Sequence, residues 1–504
     1  MLTRLQISGF KNLVDVDVRF GPFTCIAGAN GVGKSNLFDA ILFLSSLTER
    51  TLAEAALCIR DESQKTGDVQ SIFHRIGTEK DGEMRLEAEM ILPKHALDDL
   101  GQHVEASITL VRYVIRLGMR KSDSPQADAG PLEVLEETLV PMRLRDASEH
   151  ILFPASKEWR ESVLEGRRTS EFISTGRQGD QLIVRMHQDG RSGRLLTRPA
   201  AALPRTMLST VQTGEYPTAL LVRREMQSWR LLQLESSALR RPDEFRATPR
   251  MGTNGSHMAA TLYQLARKVP ENCGQANGKS EGTRIAAAYA QVANRLATLL
   301  EDVREIIVDR DDTRELFTLL VRTRDGTLHP ARDLSDGTLR FLALTVMEFD
   351  RQSGGVLCLE EPENGIHPRR IPVMLQLLQD MATDIDEPCD EGNSLRQVIV
   401  NTHSPAVFQQ VPDDSVLLAE LVEDVHKRTV AGQEKIVRFT KLQFSCLEGT
   451  WRSKRIKSHR VTGKGNLLAY LNPSASERQN QTHRKRVMDR EDVQQLLITM
   501  PAEG

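Results

Sequence analysis

The clearest signal in the chain is Gly28-Ala29-Asn30-Gly31-Val32-Gly33-Lys34-Ser35, which has the pattern G-x-x-x-x-G-K-S. It follows an apolar stretch, residues 23–27, typical of a strand, and precedes an apolar-periodic stretch, residues 37–47, typical of a helix. In that context the glycines let backbone N–H groups surround phosphate oxygens at a helix N-terminus. The alternative is a glycine-rich turn that only leads into a helix. We favour the phosphate-binding loop because further motifs follow it.

The two polar residues that end this loop indicate which ligand it takes. Lys34 is expected to reach the β- and γ-phosphates of a nucleoside triphosphate, and Ser35 is expected to ligate Mg²⁺. The motif therefore predicts a nucleoside triphosphate and Mg²⁺, and the family resemblance described below implies that the nucleotide is ATP.

The composition limits the possible classes of protein. With 504 residues, 39% of them hydrophobic, the chain is long enough for two or three lobes. Its net charge of -3 gives no overall attraction to nucleic acid, so such contacts must come from a local patch. The six cysteines form no C-x-x-C pair, which excludes the common zinc and disulfide frameworks and predicts a cytoplasmic location. No apolar run is long enough to predict a membrane helix.

Hydrophobic periodicity gives a coarse map of the remaining chain. Strands are predicted at 84–92, 104–118, 303–308, 315–322 and 416–420, the last of these as the final strand. Helices are predicted at 215–240 and 284–302, and a polar loop at 121–131. No heptad pattern is sustained between Lys34 and Ser335, so a long coiled-coil arm is not expected.

A second motif is Leu334-Ser335-Asp336-Gly337-Thr338-Leu339-Arg340, which precedes the apolar residues 341–349. Ser335 occupies the position of a helix N-cap, and Gly337 allows another backbone to approach closely. On its own the motif is equally typical of a plain capped helix.

A third motif places two adjacent acids after an apolar strand, in Val356-Leu357-Cys358-Leu359-Glu360-Glu361-Pro362-Glu363-Asn364-Gly365-Ile366-His367-Pro368. Successive residues of a strand face opposite ways, so one carboxylate can hold Mg²⁺ while the next orients or deprotonates water. The alternative is a solvated acidic turn. The four apolar residues before the pair favour a buried parallel strand instead.

A fourth motif is Val398-Ile399-Val400-Asn401-Thr402-His403-Ser404-Pro405, another apolar strand that ends near a histidine. Ligands of open α/β sheets collect at the carboxyl ends of strands, which favours a γ-phosphate-sensing role for His403. The alternative is an ordinary loop histidine.

Taken in this order, the four motifs resemble an ABC-type ATPase head of the SMC/RecF/OLD group. They most resemble its compact bacterial members, often named AAA family, which lack a coiled-coil arm and a Toprim domain. The opening residues Ile7-Ser8-Gly9-Phe10-Lys11-Asn12-Leu13 also resemble the first strand and turn of that group. The resemblance covers residues 1–50 and 330–410.

The resemblance implies an α/β P-loop NTPase fold: an ABC-type head with a mixed or parallel central sheet, an antiparallel β subdomain and a helical insertion. It divides the chain into four expected parts. They are the first part of the head at 1–120, an inserted mixed or helical lobe at 121–302, the second part of the head at 303–425 and a basic extension at 426–504.

The resemblance also implies residue roles. It assigns nucleotide binding to Gly28, Asn30, Gly31, Gly33, Lys34 and Ser35, and γ-phosphate contact across a second subunit to Ser335, Asp336 and Gly337. It assigns Mg²⁺ to Ser35 and Glu360, catalysis to Glu361 and His403, and the D-loop to Asn364 and Gly365. Glu360 stands where the group usually has Asp. The group's Q-loop glutamine has no clear counterpart, and Gln70 is a candidate that we leave unassigned.

Because the resemblance implies that the second motif contacts a nucleotide bound to a second subunit, it also implies a homodimer, or a higher homo-oligomer, closed around ATP. We therefore expect an ATPase that couples dimerisation to DNA-linked work. Its resemblance to the PtuA ATPases of Septu-type anti-phage systems favours a role in defence. The expected partners are a separate effector nuclease and nucleic acid, and no membrane partner is expected. The alternative is a RecF-like repair clamp, and a transporter ATPase is less favoured.

The C-terminal residues leave two interpretations open. Residues 451–490 are strongly basic, which is typical either of phosphate contact or of a solvated tail. Neither a Toprim nor an HNH nuclease pattern is recognisable there.

Overall fold

In the computed structural model the chain is described at residues 1–59, 68–76, 79–80, 82–120, 131–190, 195–268, 281–298, 300, 302–350, 354–430, 433–456 and 460–462. The strands are β1 Leu2–Ser8, β2 Val16–Arg19, β3 Phe23–Ala27, β4 Arg75–Ile76, β5 Glu79–Lys80, β6 Glu83–Ile91, β7 His95–Leu97, β8 His103–Glu105, β9 Leu110–Met119, β10 Leu132–Pro141, β11 Ile173–Gln178, β12 Gln181–Met186, β13 Leu196–Pro199, β14 Arg230–Leu232, β15 Asp243–Glu244, β16 Val303–Asp311, β17 Leu316–Thr323, β18 Leu328–Pro330, β19 Gly355–Glu360, β20 Arg396–Thr402, β21 Val416–Val430, β22 Gln433–Cys446 and β23 Arg460–Val461. The α-helices are α1 Lys34–Ser46, α2 Leu52–Leu57, α3 Ala147–His150, α4 Lys157–Val163, α5 Pro217–Gln227, α6 Ser236–Leu239, α7 Met258–Lys268, α8 Glu281–Ala297, α9 Asp336–Phe349, α10 Ile371–Asp380, α11 Pro405–Phe408 and α12 Trp451–Arg455.

The central sheet has seven strands in the order β14-β19-β20-β3-β21-β22-β23. The first five pair in parallel, and β21 then pairs antiparallel with β22. Strands β3 and β20 are buried along their whole length, as expected for parallel strands covered on both faces. This arrangement brings the carboxyl ends of β3, β19 and β20 to one edge.

A second sheet has eight strands in the order β13-β12-β11-β10-β9-β6-β1-β2, all paired antiparallel. One apolar core joins it to the central sheet, because buried Leu5 and Ile7 of β1 share a cluster with Ile26 of β3 and with Leu37 and Phe38 of α1. The predicted α/β fold, with a mixed central sheet and an antiparallel sheet, is thereby confirmed.

The region before the second motif combines helices with a smaller sheet. Strands β15, β17, β16 and β18 form a four-stranded antiparallel sheet, against which α7 and α8 pack. The strands predicted at 303–308 and 315–322 are β16 and β17 of this sheet, and the helix predicted at 284–302 is α8.

Three sequence predictions of local structure are wrong. The helix predicted over 215–240 ends at Gln227, and Arg230–Leu232 form a strand because they pair with β19. The strand predicted over 104–118 is interrupted between β8 and β9. The strand predicted at 416–420 extends to Val430 and is followed by β22 and β23, so it is not the last.

The predicted polar loop at 121–131 lies almost wholly outside the described residues, as does most of the basic stretch 451–490. Residues Met1–Val461 form a single compact unit. The boundaries at residues 120, 302 and 425 stay predictions. Within the described residues, no helix is both long and apolar enough to cross a bilayer.

Candidate functional site

Three of the four motifs meet at one edge of the central sheet. β20 pairs in parallel with β3 on one side and with β19 on the other. The phosphate-binding loop follows β3, the acidic pair ends β19, and His403 follows β20. Parallel pairing therefore assembles residues that are more than 300 positions apart in the chain.

The loop between β3 and α1 has the backbone that its glycines predict. Gly31 and Gly33 have φ angles of 78° and 96°, in the left-handed region that favours glycine. Gly33 is the N-cap of α1, so the first free N–H groups of that helix face the loop. The Nζ of Lys34 donates to the carbonyl oxygens of Gly28 at 2.8 Å and Ala29 at 2.9 Å. The loop has the form of an anion cradle.

Asn12, in the turn after β1, holds this cradle from outside. Its Nδ2 donates to the carbonyl oxygen of Val32 at 2.9 Å, and its Oδ1 accepts from Nδ2 of Asn36 at 2.8 Å. A Cβ on Gly33 would lie only 2.3 Å from Nδ2 of Asn12. Asn12 lies in the opening motif, residues 7–13, but no role for it was predicted from the sequence.

Glu361 is the most constrained residue of the site. Its φ of 45° is unusual for a residue with a side chain. Its N–H donates to the backbone oxygen of Asn401 at 3.0 Å and to Oδ1 of the same residue at 3.1 Å. Such a conformation persists where neighbouring contacts impose it.

The carboxylate of Glu361 is held at both oxygens. Oε1 accepts from Nδ1 of His403 at 2.6 Å, and Oε2 accepts from Nδ2 of Asn364 at 2.8 Å. Burial acts to raise the pKa of Glu361, but these hydrogen bonds and the charges of His403 and Lys34 outweigh it and lower the pKa. Glu361 is therefore ionised at neutral pH and fixed in orientation.

Negative charge accumulates at this edge of the sheet. Burial lowers the pKa of Lys34, and the carboxylates of Glu361, Glu363 and Glu360 oppose that effect. Glu363 is buried, which raises its pKa, and its Oε1 accepts a hydrogen bond from the hydroxyl of Thr402. Its Oε2 has no hydrogen-bond partner among the described residues. The sequence analysis gave Glu363 no role.

A cavity of about 690 Å³ opens between these elements, within the usual size range of small-molecule sites. It brings together seven of the predicted site residues: Asn30, Gly31, Gly33, Lys34, Ser35, Glu360 and Glu361. His403 joins them through Glu361. Gly28 lies beneath the loop, where a Cβ would be 2.5 Å from the carbonyl oxygen of Ala419.

The second motif reaches this cavity only through its last residue, Arg340, and the residues predicted to contact phosphate do not line it. Ser335 is the N-cap of α9, accepting at its Oγ from the N–H of Thr338 at 3.3 Å. The exposed Asp336 forms a 2.6 Å ion pair with Arg240. Ser335, Asp336 and Gly337 are not among the residues that line the cavity.

The sequence missed the far wall of the cavity, which we define as Leu232, Gln233, Leu234, Glu235, Arg340 and Leu344. Gln233 directly follows β14, the strand next to β19. Gln70, the unassigned Q-loop candidate, instead lies in the 3₁₀-helix Val69–Ile72 and does not line the cavity. The only signal for Gln233 is the apolar pair before it, too short to predict a strand.

The residues present suit Mg²⁺ bound together with a phosphate group. Within the described part of the chain, no group of three or more His, Cys, Asp or Glu side chains could hold a metal ion by itself. Magnesium in phosphate sites takes one or two protein ligands and completes its shell with water and phosphate oxygens. Ser35 and Glu360, which line the same cavity, fit that requirement.

Comparisons with known proteins find matches in the parts of the chain that carry the motifs. The family model described as "RecF/RecN/SMC N terminal domain" matches residues 1–97, and the one described as "AAA domain, putative AbiEii toxin, Type IV TA system" matches residues 259–408. Between them they include the phosphate-binding loop, α9, the acidic pair and His403.

Individual relatives match over short stretches. The DNA replication and repair protein RecF of Phocaeicola vulgatus is 37% identical over 65 residues, which is 13% of this chain and 18% of that protein. The OLD nuclease of Thermus scotoductus is 49% identical over 41 residues, 8% of each chain. The chain thus matches less than a fifth of the length of these curated relatives.

A solved Smc head domain with an extended coiled coil, bound to the C-terminal domain of ScpA, derived from Pyrococcus furiosus, aligns with 87% of this chain and 96% of its own. The identity is 11% and the TM-score 0.40. The two family models and the local relatives match the parts of the chain that carry the motifs, and they support its similarity to the SMC/RecF/OLD group of ABC-type ATPases.

Proposed function

We propose that this chain binds ATP with Mg²⁺ in the cavity beside Lys34 and hydrolyses it. The observation that carries the proposal is the geometry of Glu361. This carboxylate lines the same cavity as Lys34 and is held at both oxygens by His403 and Asn364. A carboxylate fixed in this way can orient a water molecule and accept its proton.

The remaining residues divide the work of binding. The loop N–H groups and Lys34 hold the phosphates, while Ser35 and Glu360 hold the metal ion. When bound, Mg²⁺ offsets phosphate charge and polarises the reacting phosphoryl group. Nδ1–H of His403 keeps Glu361 oriented toward the γ-phosphate end of the cavity.

We further propose that two copies close around ATP. Ser335 and Asp336 are exposed and lie outside the cavity of their own chain. The N-terminus of α9 carries free N–H groups and a partial positive charge, so it suits a phosphate presented by a second copy. ATP would then act as an interface ligand, and its hydrolysis would release the pair.

The work coupled to hydrolysis is proposed to involve DNA. RecF and OLD nuclease, both relatives by local sequence, support this assignment by their names. A role in anti-phage defence beside a separate nuclease is the version we favour. The second candidate is a repair clamp, which the RecF matches to the N-terminal region favour.

The test of hydrolysis is ATP turnover by the wild type and by Glu361→Gln. We expect the variant to keep ATP affinity and to lose turnover by a factor of about 10² to 10⁴, the usual value of a positioned general base. Equal turnover in the two proteins would remove Glu361 from the reaction.

The test of the DNA role is a pull-down from native cells with tagged Glu361→Gln. Recovery of a nuclease together with nucleic acid supports the defence role. Recovery of nucleic acid without a nuclease, with a preference for single-strand/duplex junctions in the recovered nucleic acid, supports the repair clamp. Recovery of neither would count against DNA-linked work.

A further inference from the structure

Arg340 is a basic residue of the cavity that ends the second motif but received no role from the sequence. It lies in the second turn of α9 and lines the cavity with Lys34 and Glu361. Its Nη1 donates to the backbone oxygen of Asn364 at 2.9 Å. Its Nε is buried and has no hydrogen-bond partner among the described residues. A guanidinium in this place acts on the loop that follows the acidic pair.

Asn364 connects Arg340 to Glu361. Its N–H donates to the backbone oxygen of Glu361 at 3.0 Å, and its Nδ2 donates to Oε2 of the same residue at 2.8 Å. An uninterrupted series of hydrogen bonds therefore runs from Arg340 through Asn364 and Glu361 to His403. Because Glu361 has a strained backbone, its orientation depends on such outside contacts.

The first turn of α9 touches the same loop at a second point. A Cβ on Gly337 would lie 2.4 Å from the backbone oxygen of Gly365, so glycine is needed there for the two backbones to approach. Helix α9 thus contacts the loop through Gly337 and Arg340. A shift of the exposed N-terminus of α9 would move the loop, and with it the side chain of Asn364.

We propose that Arg340 is a positioning residue: it holds Glu361 through the side chain of Asn364, so that contact at the exposed N-terminus of α9 controls hydrolysis in the chain's own cavity. This inference rests on the proposed ATPase function. It predicts that Arg340 affects the rate of hydrolysis and leaves ATP affinity largely intact, because Arg340 holds Glu361 while Lys34 and the loop hold the phosphates.

The experiment compares kcat and KM for ATP in the full chain with Arg340→Met and Arg340→Lys. We expect Arg340→Met to lower kcat roughly 10- to 100-fold with KM within about threefold, since small displacements of a reacting group have effects of this size. Arg340→Lys keeps a donor for the oxygen of Asn364 and should recover part of the loss.

A matched control is Arg295→Met. Arg295 donates to Glu348 near the other end of α9, at 3.1 Å, and it does not line the cavity. This variant removes a contact of the same helix, α9, at a point distant from Asn364. Its kcat should therefore stay within about twofold of the wild type.

A double-mutant cycle separates positioning from general destabilisation. Asn364→Ala removes the side-chain hydrogen bond to the carboxylate of Glu361 and keeps the backbone hydrogen bonds of residue 364. In that background Arg340→Met should lower kcat by less than about threefold more, because Arg340 no longer acts on the carboxylate through a side chain. Multiplicative losses, or a loss confined to KM, would overturn the inference while leaving the ATPase function in place. Absence of wild-type turnover would overturn both.

Discussion

Two of the regions that contain buried acidic residues differ in what surrounds those acids. In the antiparallel sheet, Glu89 is fully buried, and both its carboxylate oxygens are paired. Its partners, all within 3.1–3.2 Å, are Arg4, Arg19, Arg112 and His150. Burial alone would raise the pKa of Glu89, yet these partners lower it to about 2. Arg4 also pairs with Asp17, and Arg112 also pairs with Glu87, so these side chains form a closed network that is typical of a structural ion cluster.

At the carboxyl ends of the parallel strands the acidic side chains are not matched in this way by basic ones. Three carboxylates act on Lys34: those of Glu360 and Glu361, which line the cavity, and that of Glu363, which is buried. Acidic side chains therefore outnumber basic ones among the residues that line the cavity, whereas the charges around Glu89 pair with one another. The comparison teaches that the number of buried acids does not identify a ligand site. The unbalanced charge beside an open cavity does.

The largest expected effect is on stability, from Glu89→Gln. Removing one charge from a buried ion cluster leaves its partners unpaired and costs about 3–5 kcal/mol, so the urea midpoint at pH 7 should fall clearly. The folded pKa of about 2 is below the ordinary 4.5, so the stabilisation exists above pH 4.5 and disappears as the pH falls toward 2. The gap between variant and wild type should therefore narrow at pH 3.

The control for that experiment is Glu105→Gln. Glu105 is exposed and pairs with Lys94 at 3.7 Å, so its loss should cost less than about 1 kcal/mol. Equal losses in the two variants would contradict the structural interpretation of Glu89. ATP affinity should be unchanged in both.

The next effect is on ligand binding, from Lys34→Ala. Because Lys34 is the loop cation proposed to hold the phosphates, its removal should weaken ATP binding by a factor of about 10² to 10³, as for other groups that stabilise charge in ligand sites. Titration with a fluorescent ATP analogue measures it. Lys94→Ala, which removes a lysine elsewhere on the surface, serves as the control. Unaltered binding in Lys34→Ala would place the nucleotide elsewhere.

A smaller effect is expected from Asn12→Ala, which removes the side chain that holds the loop from outside the cavity. Two hydrogen bonds are lost, and at about 1 kcal/mol for each the KM for ATP should rise roughly 10- to 30-fold with kcat little changed. Steady-state kinetics measure both quantities. A loss in kcat with normal KM would mean that Asn12 does not act through the loop.

The smallest effect is expected from Glu363→Gln. Burial raises the pKa of Glu363, so its ionisation opposes folding, and stability falls as the pH rises through that pKa. At pH 8 the free energy of unfolding of the Gln variant, whose amide is neutral, should equal that of the wild type or exceed it by about 1 kcal/mol or less. Thermal unfolding midpoints of both proteins at pH 5 and pH 8 test whether ionisation of Glu363 lowers stability. A variant that is less stable only at pH 8 would contradict it.

The sequence predicted those parts of the site that depend on contiguous residues. The loop after β3 and the acids after β19 follow apolar strands, and both the strand pattern and the chemistry are local. The order of β3, β20 and β19 then brings His403 to Glu361 at 2.6 Å. That distance depends on topology, but the strand-end position of His403 was enough to place it.

The far wall could not be predicted because long-range pairing creates it. The three residues of β14 become a strand only by pairing with β19, so Gln233 looked like part of a helix. Arg340 looked like an ordinary polar residue of a capped helix until α9 packed on the loop at Asn364. Likewise, the polar residues of β21 concealed how far that strand extends.

The most direct test is a structure of Glu361→Gln crystallised with ATP and Mg²⁺. We expect two chains related by twofold symmetry, with each triphosphate between Lys34 of one copy and Ser335 of the other. A nucleotide bound away from the acidic cavity, or held by a single chain with Ser335 still facing solvent, would contradict the account.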